Sequence, residues 1–418
     1  MKPKTKAKPR KKSVSQAVCF CGSPLISVKR AGRKAEVVQG RYAWMANNAE
    51  DAVKDGVLQD SIRLPLVRRE RINPIGIEIL HASVSPSKRR IPRCKSHKQI
   101  KWVEPVFVHH GCSLPNDPKL PVQWALDAIG GEGIWTNWHG DPQAVLLAVL
   151  DTGVPLEQGQ LSHADFNRDQ IRLATDWINH DLDPADDHGH GTHVLGIASA
   201  ATNNGTGITG IWPGRVLVSK TSDAKNRGTD ETFLRGIVEA VDLARQLNVR
   251  LVINYSSIGP DTLKNREAVK YAHEAGALLV AAAGNTYGTV QYPAAYSTKH
   301  DSVIAVGAVD DQRRRAPFSS RGAALTLVAP GTNILSTLPN YCVTLTVSGK
   351  QPKQPKYDVL SGTSQATALT SAVASLVWSQ WPELSAQEVR NKLASTATPL
   401  GPSKDFGSGL LNAPAALA

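Results

Sequence analysis

Val145-Leu-Leu-Ala-Val-Leu-Asp151 runs through six apolar residues without interruption, ends on a carboxylate and continues into Thr152-Gly153. A strand that is apolar at every position, not at alternate ones, is covered on both faces, as strands of parallel sheets are. Working outward, short buried strands are expected at Ala144–Leu150, Arg215–Lys220, Arg250–Asn254, Ala277–Ala283 and Ser302–Val309. Helical periodicity falls between them, most clearly at His193–Ala201, Glu231–Leu247 and Leu263–Ala275. Strands alternating with helices imply an α/β fold, a mainly parallel sheet with helices on both faces. The active sites of such sheets lie at the carboxyl ends of the strands, which is where Asp151 falls.

The chain has 418 residues and a formal charge of +12, but that charge is not spread evenly. Residues 1–112 carry 24 Lys/Arg against 8 Asp/Glu, a net of +16, and the remainder carries −4. Such asymmetry marks a tail or separable segment, not a basic domain. Residues 1–33 start with Met-Lys-Pro-Lys-Thr-Lys-Ala-Lys-Pro-Arg-Lys-Lys and are expected to be a disordered basic tail. Ser13–Val28 is too broken by polar residues, Gly22 and Pro24 to be the core of a secretion signal. No apolar run approaches the roughly 18 residues that span a bilayer. Residues 34–110 read as a small α+β unit, with strands at Glu36-Val-Val, Ile75–Leu80 and Trp102–Val108 and a helix within Ala49–Val67. Residues 111–122 read as a linker and 123–418 as the α/β domain. The five cysteines form no disulfide framework, Cys19-Phe-Cys21 lacks the second pair a zinc site needs, and a Cys112–Cys342 bridge stays open.

Four local contexts in the large domain carry chemistry. Asp151 ends a buried strand, where its carboxylate needs a cationic or hydrogen-bonding partner. Asp187-His-Gly-His-Gly-Thr-His193 offers three histidines, of which His190 is flanked by glycines that permit close approach, with a helix beginning beyond it. Ala281-Ala-Ala-Gly-Asn285 ends an apolar strand on a side-chain amide. Ser364, in Ser361-Gly-Thr-Ser-Gln-Ala-Thr367, opens a helix of small residues whose backbone N–H groups face any anion formed there. Taken singly, Asp151 and Ser364 read as helix caps and Asn285 as a turn residue. Together they supply a hydroxyl, a base, an orienting carboxylate and an oxyanion donor, the requirements of amide hydrolysis by serine.

In that order, Asp, His, Asn, Ser, the segment from about Asn116 to Ala413 resembles the subtilisin family of serine proteases. His163-Ala-Asp-Phe166, Asn203–Gly210, Tyr292-Pro-Ala294, Phe318–Gly322, Val328–Gly331 and Phe406–Asn412 extend the resemblance. It implies that Asp151 orients, His190 is the general base, Ser364 is the nucleophile and Asn285 completes the oxyanion hole. It also implies an endopeptidase acting through an acyl-enzyme, with no cofactor needed for the chemistry. Substrate would run as an added strand between about Asp223–Gly228 and Ser256–Gly259, against Ser256, Ser257, Ile258, Gly259 and Gly284. Structural calcium would be held near Asp165 and Asn204, both hard oxygen donors.

Three departures from the family pattern concern specificity and turnover. Gln365 and Ala368 stand where Met and Pro are usual after the nucleophile, and Ile258 replaces a glycine on the wall of the primary specificity pocket, which should narrow it. Leu195 stands where alanine is usual. The region before the domain resembles the family's inhibitory propeptide, so the chain's own N-terminal region is an expected intramolecular partner besides polypeptide substrates. Self-cleavage is then expected between His109 and Pro115. Two other readings compete: a pseudoprotease that binds peptides without cutting them, and a nucleic-acid tether formed by residues 1–12, for which a solvated tail is the simpler account. The resemblance favours export, and the missing secretion signal opposes it.

Overall fold

The structure is a computed structural model that describes residues 114–347 and 356–418 with their side chains, and the backbone of six strands before them. The chain divides into two compact units, Met1–Gly111 and Cys112–Ala418.

In the first unit the strands are β1 (Cys19–Phe20), β2 (Ser23–Arg30), β3 (Arg33–Ala46), β4 (Leu66–Ile72), β5 (Ile77–Ala82) and β6 (Ile100–Phe107). They pair antiparallel in the order β1-β2-β3-β5-β4, and β6 also pairs with β3. The expected strands at Glu36-Val-Val, Ile75–Leu80 and Trp102–Val108 fall on β3, β5 and β6. Two expectations change. β1 and β2 lie inside the stretch read as a tail, because Leu25-Ile-Ser-Val28 finds a partner in Ala35–Val38. Leu66 and Val67, read as the end of a helix, open β4 instead. The rest of that helix, residues 1–12 and the proposed cleavage region lie mostly or wholly outside the described residues.

The second unit is built on seven parallel strands in the order β10-β11-β7-β12-β13-β14-β15. They are β7 (Val145–Asp151), β10 (Ile171–Asp176), β11 (Arg215–Lys220), β12 (Arg250–Tyr255), β13 (Leu278–Ala282), β14 (Val303–Val309) and β15 (Leu327–Pro330). Two short antiparallel hairpins complete the set, β8 (Leu156–Glu157) with β9 (Gln160–Leu161), and β16 (Ile334–Thr337) with β17 (Tyr357–Leu360). Sequence patterning missed β10 and β15. The first is an edge strand with a mixed Ile-Arg-Leu-Ala-Thr-Asp pattern, and the second is only four residues long.

β7 shows why an unbroken apolar run is needed. Val145, Leu147 and Val149 enter one core, and Leu146, Ala148 and Leu150 enter the other, following the two-residue period of a strand. The helices His190–Ser199 and Thr363–Gln380 pack in the first core, and Asp230–Leu247 and Leu263–Glu274 in the second. The Thr363–Gln380 helix is buried from Thr363 to Ser379 despite its many hydroxyls. These are satisfied within the helix, for example by Thr367 Oγ1 donating to the Thr363 carbonyl at 2.8 Å and Ser375 Oγ to the Ser371 carbonyl at 2.9 Å. Small residues with internally bonded hydroxyls let this helix run close to the sheet without orphaned polar groups.

The stretch expected as a linker is part of this unit from its second half onward. Asp117 is 2% exposed, and its carboxylate accepts from Asn203 N at 2.8 Å, Asn204 N at 3.0 Å and Thr209 Oγ1 at 2.7 Å. Polar composition suggested a spacer, but here the polar groups bind a neighbouring loop.

Candidate active site

β7 delivers Asp151 at its carboxyl end, and the neighbouring β12 delivers Ser256 directly after Tyr255. β13 ends at Ala282, three residues before Asn285. His190 and Ser364 come from the starts of the two helices of the first core. His190 is the first residue of its helix, three residues earlier than the periodicity suggested, because Gly189 at φ +103° supplies the left-handed cap.

Three of the four expected residues, His190, Asn285 and Ser364, line one cavity of about 380 Å³. Asp151 lies behind His190, with Oδ1 2.7 Å from Nδ1. The same oxygen accepts from Thr152 N at 2.8 Å. An acceptor-only carboxylate beside Nδ1 keeps the proton on that nitrogen, so neutral His190 turns an unprotonated Nε2 outward. Burial pushes the His190 pKa down, but the charge and hydrogen bond of Asp151, with the charge of Asp186, raise it above the ordinary 6.5.

Ser364 Oγ donates to the Ser256 carbonyl at 3.0 Å, and Ser256 Oγ donates to the Ser364 carbonyl at 3.2 Å. Asn254 Nδ2 donates to Ser256 Oγ at 3.0 Å, and Ser371 Oγ donates to Asn254 Oδ1 at 2.8 Å. This chain of bonds fixes the serine's backbone to β12. Asn285 is oriented by Thr363, whose N–H and Oγ1 donate to Oδ1 at 2.9 and 3.0 Å. With its oxygen so held, the Asn285 amide N–H₂ is free to face the cavity beside the Ser364 N–H.

Asp186 and Thr152 were missed by sequence reasoning. Asp186 is fully buried, and its Oδ1 accepts from Thr152 Oγ1 at 2.8 Å, His188 N at 3.0 Å and Gly189 N at 2.7 Å. Its Oδ2 accepts from Thr192 N at 2.9 Å and Thr192 Oγ1 at 2.6 Å. Thr152 Oγ1 in turn accepts from Gly191 N at 2.8 Å. Lys220 supports the same loop from below, with Nζ donating to the Ala185 carbonyl at 2.8 Å and pairing with Asp187 at 2.9 Å. The available signal was an acidic residue four positions before His190, which looked like an ordinary loop residue.

The other expected residues fall as follows. Ser256, Ser257, Ile258 and Gly284 line the cavity, while Gly259 lies just beyond and donates its N–H to the Tyr292 carbonyl at 2.9 Å. Asn226, from the expected Asp223–Gly228 segment, also lines the cavity. His193 is buried with its pKa lowered to about 3, by burial first and then by His190, and its Nε2 faces the Asp358 carbonyl at 3.2 Å. It is therefore a neutral structural histidine, and no three-residue metal cluster occurs among the described residues. Gln365 is buried beside it, with Nε2 3.5 Å from His193 Nδ1. Ala368 and Leu195 are buried within helices, so the missing proline leaves the helix unbroken. Cys112 lies outside the described residues.

Asp165 and Asn204 come together, but as partners of each other. Asn204 Nδ2 donates to Asp165 Oδ1 at 3.0 Å, Ile208 N donates to Oδ2 at 2.9 Å, and Tyr357 of β17 adds a hydroxyl bond to the same carboxylate. Asn204 Oδ1 accepts from Thr206 N at 2.7 Å. Burial raises the Asp165 pKa. A cation needs oxygens that are not already taken by N–H and O–H donors, so these two side chains do not fit calcium as arranged. Tyr357→Phe should lower stability by about 1.5–3 kcal/mol, the cost of losing a hydrogen bond to a charged group.

Comparisons with known proteins identify the family and the fold. The subtilase family (peptidase S8) matches residues 143–409. Subtilisin DY of Bacillus licheniformis is 38% identical over 279 residues, covering 65% of this chain and 90% of that protein. Subtilisin Savinase of Lederbergia lenta is 37% identical over 275 residues, covering 65% of this chain and 90% of its own. Among solved structures, proteases from Pseudoalteromonas arctica share the fold, with a TM-score of 0.60 at 24% identity over 73% of this chain and 99% of theirs. With the family matched across the whole parallel sheet and the four residues gathered at its carboxyl edge, the chain belongs to the subtilase family of serine endopeptidases.

Proposed function

We propose that this chain cleaves extended polypeptides through an acyl-enzyme on Ser364, and that it is made as a self-processing zymogen. The observation that carries the reading is the 2.7 Å bond between Asp151 and His190, in a cavity that Ser364 and Asn285 also line. In the proposed reaction Ser364 Oγ turns from the Ser256 carbonyl toward His190 Nε2 and gives up its proton as it attacks the scissile carbonyl carbon. The proton passes to His190, and Asp151 stabilises the resulting imidazolium through Nδ1–H. The carbonyl oxygen becomes an oxyanion facing the Ser364 N–H and Asn285 Nδ2, and an amide donor of this kind contributes about 2.7–4 kcal/mol. The C–N bond then breaks, His190 returns the proton to the leaving amine, and water repeats the sequence to release the acid.

The N-terminal unit, with its +16 charge against −4, is read as the intramolecular inhibitor, an attraction that salt would weaken. Export is the favoured compartment. The supporting relative is the halolysin-like extracellular serine protease Nep of Natrialba magadii, 34% identical, of which this chain covers 53%. No helix among the described residues is long and apolar enough to cross a membrane.

A fluorophosphonate probe should label the wild-type chain and not Ser364→Ala, and mass spectrometry should find wild type cut between His109 and Pro115 while Ser364→Ala stays full length. Failure of processed wild type to label would favour the pseudoprotease reading that Gln365 and Ala368 raise. An active enzyme that stays full length would remove the zymogen. The pH dependence follows from His190. A raised pKa keeps the ring protonated to higher pH, and the protonated ring cannot accept the serine proton, so activity is lost as pH falls. The acid limb of kcat/KM should have its midpoint above 6.5, read with a substrate that does not titrate.

A further inference from the structure

Tyr341–Val347 lies between β16 and β17 and packs against the loop that carries His190. Tyr341 Oη donates to the Asp186 carbonyl at 2.9 Å, Thr344 N to the Asp187 carbonyl at 3.1 Å and Leu345 N to the His188 carbonyl at 3.0 Å. The segment therefore follows the His190 loop residue by residue. Its apolar side chains, with Leu338 just after β16, cover Gly189: a methyl group added there would meet Val343 Cγ2 at 3.0 Å, Leu338 Cδ2 at 3.3 Å and Leu345 Cδ1 at 3.5 Å. Val343 and Leu338 are buried by this packing, but Leu345 stays partly exposed and lines the active-site cavity with His188 and Leu360.

We propose that Tyr341–Val347 forms a specificity wall of the cleft, in which Leu345 selects an apolar side chain on the substrate residue lying against the His190 side. The proposal rests on the reading of the cavity as a peptide-cleaving cleft. A half-covered leucine fixed by backbone bonds on both sides has apolar area still to lose and pays little ordering entropy when a substrate side chain covers it. Among the described residues that line the cavity beside Leu345, none is an Asp, Glu, Lys or Arg. His188 is buried, with its pKa lowered by that burial and by His190, and its Nδ1 finds no hydrogen-bond partner among the described residues. A charged substrate side chain would be desolvated there without compensation, whereas a leucine-like one would not. The segment supplies none of Asp151, His190, Asn285 and Ser364, and its hold on the His190 loop runs through backbone groups and Tyr341, so the Leu345 side chain can change while those bonds stay in place.

The test uses the wild-type chain as purified and fluorescent hexapeptides in which each position carries Leu, Gly, Asp or Lys in turn, with kcat/KM read from cleavage and affinity read by anisotropy for any peptide that is not cut. One position should prefer Leu over Gly by about tenfold, the scale of small side-chain discrimination by an apolar pocket, with Asp weaker still. Leu345→Ser should bring that ratio close to one and leave the other positions unchanged, and Leu345→Asp should turn the same position toward Lys. If Leu345→Ser loses its cooperative melt, Leu345→Gln, which keeps the side-chain stem over Gly189, takes its place. Equal position-by-position ratios in the parent and the Leu345 variants would overturn the proposal. The two readings separate cleanly: peptides cut by wild type without Leu345-dependent selection remove this inference alone. Peptides selected at one position but never cut remove turnover and leave the wall in place.

Discussion

The bond from Thr152 Oγ1 to the Asp186 carboxylate, 2.8 Å long and fully buried, is the tie on which the site depends. Thr152 belongs to the end of β7, and Asp186 to the loop that becomes the His190 helix. Without a link between them, Asp151 and His190 would be carried by elements free to drift apart. Hydrogen-bond geometry weakens steeply within a few tenths of an ångström, so a 2.7 Å contact between them needs such a tie. Asp186 accepts from five donors, which compensates for burying its charge and makes the loop's shape a property of one side chain. Serine and asparagine are held by the same device, through Ser256 for one and Thr363 for the other. Each reacting group is thus positioned by a neighbour that takes no part in bond making.

Much of this was legible in the sequence because it rests on short-range pattern. The apolar run at Val145–Leu150 can only be a strand covered on both sides, and the small-residue run after Ser364 can only be a helix packed closely on a sheet. Their ends fixed where Asp151 and Ser364 would lie. The order of the four site residues then linked contexts that were ambiguous one at a time. Edge elements were harder, since β10 mixes charged and apolar residues and carries no clear period.

What stayed hidden depends on contacts between residues far apart in the chain. Tyr357 belongs to no motif in the sequence, yet its hydroxyl reaches Asp165 and changes what that carboxylate can bind. Asp117 read as a linker residue because nothing local reveals that Asn203, Asn204 and Thr209 will converge on it. Leu345 lies in a stretch with no motif, and its position in the cleft follows only from the backbone bonds to Asp187 and His188. In each case the residue type was visible and the partner was not.

The topology also sets a sequence of events during synthesis. β7 lies inside the sheet, but both of its neighbours, β11 and β12, are made later, and the helix that carries Ser364 comes later still, about half the chain after Asp151. A parallel sheet of this kind must close long loops before its contacts repay the entropy of closing them. While the chain is still growing it holds a carboxylate and then an imidazole, but no hydroxyl beside them. Cutting ability therefore appears only after most of the molecule has been made, and a truncated product from an interrupted round of synthesis would carry no nucleophile.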